Sequence, residues 1–246
     1  MRGGALMLVL FALGASPAAA SCDRLTFEGQ GFVVCAFDPA ETDLRLFLDD
    51  PATGLKLGSF ENLAGMLAAR GERLLFAMNA GMYHPDRSPV GHYIEDGQER
   101  VPVISSDGPG NFGLLPNGIL CIRKGSARVI ETLRYLRQRP ACRYATQSGP
   151  MLVIDGKLHP KFLRQSDSLH VRNGVGSADE GRRVWFAISE APVNFHLFAR
   201  LFRDRLGADQ ALYLDGSVSR LYAPEIGRQD GGLPMGPIVA AVAPVE

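Results

Sequence analysis

The stretch Gln147-Ser148-Gly149-Pro150-Met151-Leu152-Val153-Ile154-Asp155-Gly156 decides the fold class. Its apolar run, Met151 to Ile154, has the length of a buried strand, and it stops at Asp155-Gly156, a dipeptide whose residues tolerate positive φ. A chain that does this folds back as a hairpin, and hairpins build antiparallel sheet. The same turn chemistry recurs at Asp96-Gly97 after Gly91 to Glu95, and at Asn117-Gly118 beside Gly118 to Ile122. Further strand-like runs are Phe32 to Phe37, Leu44 to Leu48, Leu74 to Met78, Val184 to Ser189, Ala211 to Leu214 and Ile238 to Val242.

Helices are fewer. Ser59 can cap one that places Phe60, Leu63, Met66 and Leu67 at helical spacing and ends at Gly71; Asn194 can cap another, with Phe195, Phe198, Leu201, Phe202 and Leu206 on one face and Gly207 as its stop. A third, Glu131 to Arg139, is stopped by Pro140. Many hairpin signals with few helices predict an α+β domain: a twisted, mostly antiparallel or mixed sheet with a few packed helices. No repeat, low-complexity tract or linker divides the chain.

The N-terminus predicts export. Arg2, an apolar run from Ala5 to Leu13, and Ala18-Ala19-Ala20 follow the order of a cleaved signal peptide, so residues 1–20 are expected to leave a single domain over 21–246. The apolar run is too short to span a bilayer, and no later stretch is long enough. Lipidation at Cys22 would need a large aliphatic residue where Ala19 stands. The four cysteines, Cys22, Cys35, Cys121 and Cys142, form an even set that export would oxidise; the short-loop pairing, Cys22 with Cys35 and Cys121 with Cys142, is preferred over the two alternatives. Their spacing fits no zinc site. Lys plus Arg, at 26, balance Asp plus Glu, at 26, so nothing favours nucleic acid or an anionic membrane as partner.

Two apolar strands end in polar, glycine-bearing loops: Leu74 to Met78 into Asn79-Ala80-Gly81-Met82-Tyr83-His84, and Ala211 to Leu214 into Asp215-Gly216-Ser217-Val218-Ser219. A strand that stops at a carboxylate and a glycine delivers that carboxylate to a sheet end, where sites are built. Asp215 reads equally as a turn aspartate bonding its own backbone. Gln147-Ser148-Gly149-Pro150 is a third candidate loop. The fourth is Val171-Arg172-Asn173-Gly174-Val175-Gly176, where a permanently charged, bidentate guanidinium precedes glycines that let amides approach an anion; a surface arginine in a glycine turn is the alternative. Gly108-Pro109-Gly110-Asn111-Phe112-Gly113 matches a dinucleotide fingerprint literally, but no helix follows it. Ser148 and Ser217 lie outside G-x-S-x-G, and the five histidines form no metalloprotease pattern.

Taken in order, Phe76-Ala77-Met78-Asn79-Ala80-Gly81-Met82-Tyr83, Gln147 to Gly156, Arg172 to Gly176 and Leu212-Tyr213-Leu214-Asp215-Gly216-Ser217 resemble the phosphodiester glycosidase domain family, from about residue 30 to the C-terminus. The resemblance implies an α+β fold and hydrolysis of the bond between an anomeric carbon and a phosphate oxygen, on a phosphodiester-linked glycan, without cofactor or metal. Carried over, it places Asn79, Arg172 and Asp215 in catalytic positions; Glu190, at the end of the strand Val184 to Ser189, reads from its position either as a second carboxylate or as a strand-end surface acid. It also places Gly81, Tyr83, Gln147, Ser148, Gly149, Asn173, Gly174, Gly176, Gly216, Ser217 and Ser219 around the substrate. Ala80 and Ser217-Val218 stand where family members often carry further glycines. A phosphate leaving group is a weak base, with a second pKa of about 6. The chemistry therefore asks for a cation on the phosphate and one carboxylate at the sugar, roles expected of Arg172 and Asp215. A non-catalytic module for anionic glycans or envelope polymers, and a serine-type hydrolase using Ser148, are the alternatives.

Overall fold

The structure is a computed structural model that describes residues 21–245, so the proposed signal peptide lies outside the described residues. Every strand pair is antiparallel, and three sheets result. The seven-stranded sheet runs β1 (Ser21–Phe27), β2 (Gln30–Phe37), β13 (Arg183–Ser189), β12 (Asn173–Ala178), β14 (Gln210–Asp215), β10 (Met151–Ile154) and β11 (Lys157–Leu158). A five-stranded sheet runs β16 (Arg228–Gln229), β15 (Leu221–Ala223), β4 (Glu72–Asn79), β17 (Ile238–Pro244) and β3 (Asp43–Phe47). The other is β6 (Gln98–Val101), β5 (Tyr93–Glu95), β9 (Tyr144–Ser148), β7 (Gly118–Arg123) and β8 (Ser126–Glu131). One hydrophobic core draws on all three, with Val33 and Phe186 from the first, Phe76 and Met78 from the second, and Leu120 and Tyr93 from the third.

The expected helices form where their caps fall. Ser59 accepts from the amide of Asn62 at the start of α1 (Phe60–Ala68), which buries Phe60, Leu63 and Leu67. Glu131 caps α2 (Thr132–Gln138). Asn194 caps α3 (Phe195–Arg200), which continues as a π-helical turn, Leu201–Leu206, ending at Gly207 with φ 71°. Among the described residues no helix is long and apolar enough to cross a membrane. Both disulfides join as expected, Cys22 with Cys35 and Cys121 with Cys142.

Two local expectations are corrected. Asp96-Gly97 and Asp155-Gly156 make positive-φ hairpin turns, but Asn117-Gly118 does not: Asn117 is buried, its amide group bonded to Phe112 O and Thr132 Oγ1, and Gly118 already opens β7. The segment Asn173 to Gly176, read as a ligand-facing glycine loop, is instead the middle strand β12, paired on both sides. Its glycines serve packing: a Cβ on Gly176 would meet Phe202 at 2.6 Å, and one on Gly174 would meet Leu212 O at 2.8 Å and Phe198 at 3.1 Å. Glycine here lets the aromatic face of α3 settle onto the sheet.

Candidate active site

Three strands from two sheets end at one point. β4 finishes at Asn79, β12 begins at Asn173 and β14 finishes at Asp215, which is opposite Asn173 in the ladder. The two asparagines exchange hydrogen bonds across the sheet boundary, Asn79 Nδ2 to Asn173 Oδ1 at 3.2 Å and Asn173 Nδ2 to Asn79 Oδ1 and O, both at 3.0 Å. Their remaining acceptor capacity fixes the loop after β14: Asn173 Oδ1 takes the amide of Asp215 at 3.0 Å, and Asn79 Oδ1 takes that of Arg220 at 2.9 Å. Both asparagines are fully buried, so these bonds satisfy groups that water cannot reach. Ser219 Oγ sits over Asp215 O, 2.9 Å, and Val171 O, 3.0 Å, and its one proton serves this pair of carbonyls.

Asp215 is both a turn aspartate and a cavity carboxylate. Its Oδ1 accepts the amides of Gly216, 2.6 Å, and Ser217, 2.8 Å, and the amide of Val218 bears on the same carboxylate. The side chain is nearly buried, in the wall of a cavity of about 310 Å³. Burial raises its pKa above the ordinary carboxylate value, while the amide hydrogen bonds pull the other way. Tyr213, two residues earlier and on the same face of β14, also lines the cavity, with Tyr83, Met82, Asn111 and His170 around it. Gly216 is required here: a Cβ at that position would lie 2.0 Å from the Tyr213 hydroxyl. A larger hollow of about 480 Å³ between Asp43 and Arg143 contains none of these converging groups, so volume alone does not mark the site.

Arg172 sits behind the cavity and not in it. Its guanidinium is fully buried, donating to Val193 O and Ser168 O, both at 2.8 Å, and lying 3.6 Å from the Phe195 ring centroid and 5.4 Å from that of Tyr213. Nη1 has no partner, and burial lowers the guanidinium's pKa while the Tyr213 hydroxyl acts the opposite way. Gln147 and Ser148 are held as structural ties. Gln147 Oε1 takes the amides of His92 and Ile104, both at 3.0 Å, and its Nε2 donates to Ile104 O at 2.6 Å; Ser148 Oγ donates to Leu214 O at 2.9 Å. A hydroxyl so engaged, with no histidine among its hydrogen-bond partners in the described residues, gives the serine-hydrolase reading no support. Gly149 packs on Asn117, whose Cβ would be 2.7 Å away from a Cβ there. Gly81, at φ 151°, turns the chain under Thr146 and carries Met82 and Tyr83 to the cavity. Glu190 stays apart, its carboxylate 3.5 Å from Arg24 at the surface. Sequence reading missed Tyr213, His170 and Asn111; for Tyr213 the strand period of two, placing it on the face of Asp215, was the available signal.

Comparison with known proteins bears on family and fold. The chain is 32% identical over 216 residues to the uncharacterized protein YigE of Escherichia coli (strain K12), covering 88% of this chain and 82% of that protein. Its fold is similar to the zebrafish N-acetylglucosamine-1-phosphodiester alpha-N-acetylglucosaminidase catalytic domain, solved auto-inhibited by pro-peptide (TM-score 0.61, 14% identity, 93% of this chain and 84% of that one). A hypothetical protein from Synechocystis is similar too (TM-score 0.59, 12% identity, 91% of this chain and 62% of that one). The profile of the phosphodiester glycosidase family matches residues 72–232, which run from the first residue of β4 past Asp215 and so span all three strand ends that meet at the cavity. With more than half of its length matched, the chain belongs to the phosphodiester glycosidase family.

Proposed function

We propose that this protein is an extracytoplasmic hydrolase that cleaves a sugar-1-phosphodiester at the bond between the anomeric carbon and the phosphate oxygen. The observation that carries this reading is Asp215, a nearly buried carboxylate held by the amides of its own turn in the wall of a cavity at a junction of sheets. As the C1–O bond breaks, its electron pair goes to the phosphate oxygen, and Asp215 either faces the positive charge at C1 or takes a proton from the water that bonds there. The products are the free sugar and a phosphomonoester. Since the leaving phosphate needs little protonation, a single carboxylate suffices, in keeping with Glu190 standing elsewhere. Arg172 contributes through Tyr213, as a buried positive charge behind the cavity wall and not as a contact to the phosphate. Asn79, Asn173 and Ser219 hold the loop that carries Asp215, and Gly216 keeps room for the Tyr213 hydroxyl. Two disulfides, which persist in oxidising compartments, support the location outside the cytoplasm.

The test is a panel of sugar-1-phosphodiesters of differing sugar and aglycone, scored for released reducing sugar. Release from at least one member that Asp215→Asn abolishes is the expected outcome. Binding without release across the panel would make the protein a glycan-binding module and sink the hydrolase reading.

A further inference from the structure

If Arg172 is buried behind the wall, the cavity needs its anion-binding charge from another source. Tyr83 stands at the cavity and donates its hydroxyl to Pro234 O at 3.1 Å, and its ring presses on the backbone at Gly236, where a Cβ would lie 2.5 Å from Tyr83 Cβ. Two arginines come near the stretch Gly232-Leu233-Pro234. Arg220 donates Nη1 to Leu233 O and lies on Gly232, where a Cβ would be 2.6 Å from Nη2. Arg87, on the turn after Tyr83, shares a neighbour with this stretch: a Cβ on Gly58 would be 3.9 Å from Arg87 Nη1 and 3.4 Å from Pro234 Cβ.

Neither guanidinium has an ion-pair partner among the described residues, and Arg87 Nε is buried without a hydrogen bond. The carboxylates around them in sequence are engaged already: Asp86 holds the amide and hydroxyl of Ser88 at 2.9 and 2.6 Å, Asp215 the amides of Gly216 and Ser217, and Glu225 the amide of Cys22 at 2.6 Å, while Asp230 pairs with Arg228 at 2.9 Å. Burial raises the pKa of the Tyr83 phenol, Asp215 adds to that, and Arg220 and Arg87 oppose it, so the hydroxyl feels the carboxylate and both cations. The amide of Arg220 is fixed by Asn79 Oδ1, which ties its backbone to the network that places Asp215.

We propose that Arg87 and Arg220, which stand outside the lining of the cavity and beside its Tyr83 wall, form a phosphate subsite next to it and hold the phosphate of the substrate with its sugar turned toward Asp215. This assignment rests on the phosphodiester reading above and gives it a direction: sugar on the Asp215 and Tyr213 side, phosphate and aglycone on the Tyr83 side. Two uncompensated guanidiniums suit a phosphodiester anion and its phosphomonoester product, because each offers a planar fork of donors.

The experiment titrates the mature protein with inorganic phosphate and with methyl phosphate, followed by 31P NMR, and needs no turnover. Arg87→Gln, whose side chain carries no hydrogen bond in the fold, is expected to weaken both ligands by on the order of tenfold with the melting temperature unchanged. Arg220→Lys, which keeps charge and loses the fork, is expected to weaken them less than Arg220→Gln does. Binding that is undetectable in the wild type, or unchanged in Arg87→Gln and Arg220→Gln, overturns the subsite. Phosphate binding lost in these variants of a protein that releases no sugar from the panel would uphold the subsite and sink only the hydrolase reading.

Discussion

At the residue scale, Asp215 is the position on which function and stability pull apart. Asparagine keeps an oxygen for the amides of Gly216 and Ser217 and leaves the backbone bond to Asn173 untouched, so Asp215→Asn removes charge and little else. Loss of one preorganised electrostatic group costs about 3 to 4 kcal/mol at the transition state, so turnover is expected to fall by roughly a hundred- to a thousandfold. Stability should move the other way. Burial raises this carboxyl's pKa in the folded protein, so the fold favours its protonated form. The resulting stabilisation is complete below the unfolded pKa and is lost as pH rises through the folded one. Thermal melts across a pH series should show the variant at least as stable as the wild type at neutral pH, with any gap closing in acid. The acid limb of kcat/KM should lie above the ordinary carboxylate range. A folded variant with near-normal turnover would refute the catalytic assignment, and a variant that melts well below wild type at neutral pH would refute the electrostatic account of the buried charge.

At the scale of elements, what the sequence reveals and what it hides divide on a physical line. Met151 to Ile154 is read to the residue because an apolar run and its Asp155-Gly156 turn are local signals. Asn79 and Asp215 stand out for the same reason, as polar residues at which an apolar strand stops. β12 is missed because glycine ordinarily weakens a strand, and only the tertiary partner, the aromatic face of α3, explains why Gly174 and Gly176 occupy a middle one. β9 is missed because Thr146, Gln147 and Ser148 look like a loop until distant groups satisfy them, among them Ala80 O, Ile104 and Leu214 O. Arg87 and Arg220 carry no sequence signal at all: they lie far apart in the chain, and only the fold brings both near Tyr83 and the stretch Gly232 to Pro234. The glycine account makes its own prediction. Gly176→Ala places a methyl group 2.6 Å from Phe202, and overpacking of this kind costs about 1 to 3 kcal/mol. Denaturant titration should show that loss, and Phe202→Leu in the same chain should recover part of it. If the single alanine is silent, or the double variant is worse than additive, β12 does not owe its glycines to α3.

For the whole molecule, the two disulfides sit at different distances from the site, which lets structural and functional effects be separated. Cys22–Cys35 ties the edge strand β1 to β2, and β13 and β12 lie between β2 and β14, the strand that ends at Asp215. Cys121–Cys142 ties β7 to the chain just before β9, whose Ser148 bonds the Leu214 carbonyl beside Asp215. The sequence separations are 13 and 21, and closing loops of this size stabilises a fold by roughly 3 kcal/mol in the chain-entropy account. Removing either pair as a double Cys→Ser variant should therefore lower stability by a similar amount. The site should distinguish them. Phosphate affinity, and sugar release where the panel shows it, should survive loss of Cys22–Cys35, since four strands share that sheet between β2 and β14 inclusive and β1 is also held by Glu225 through the amide of Cys22 at 2.6 Å. Loss of Cys121–Cys142 frees the approach to β9 and should weaken the same readouts in the fraction that stays folded. Equal effects of the two double variants on the folded protein's affinity and turnover would show that the sheets do not position the site independently, and that the junction at Asn79, Asn173 and Asp215 responds to the molecule as a single body.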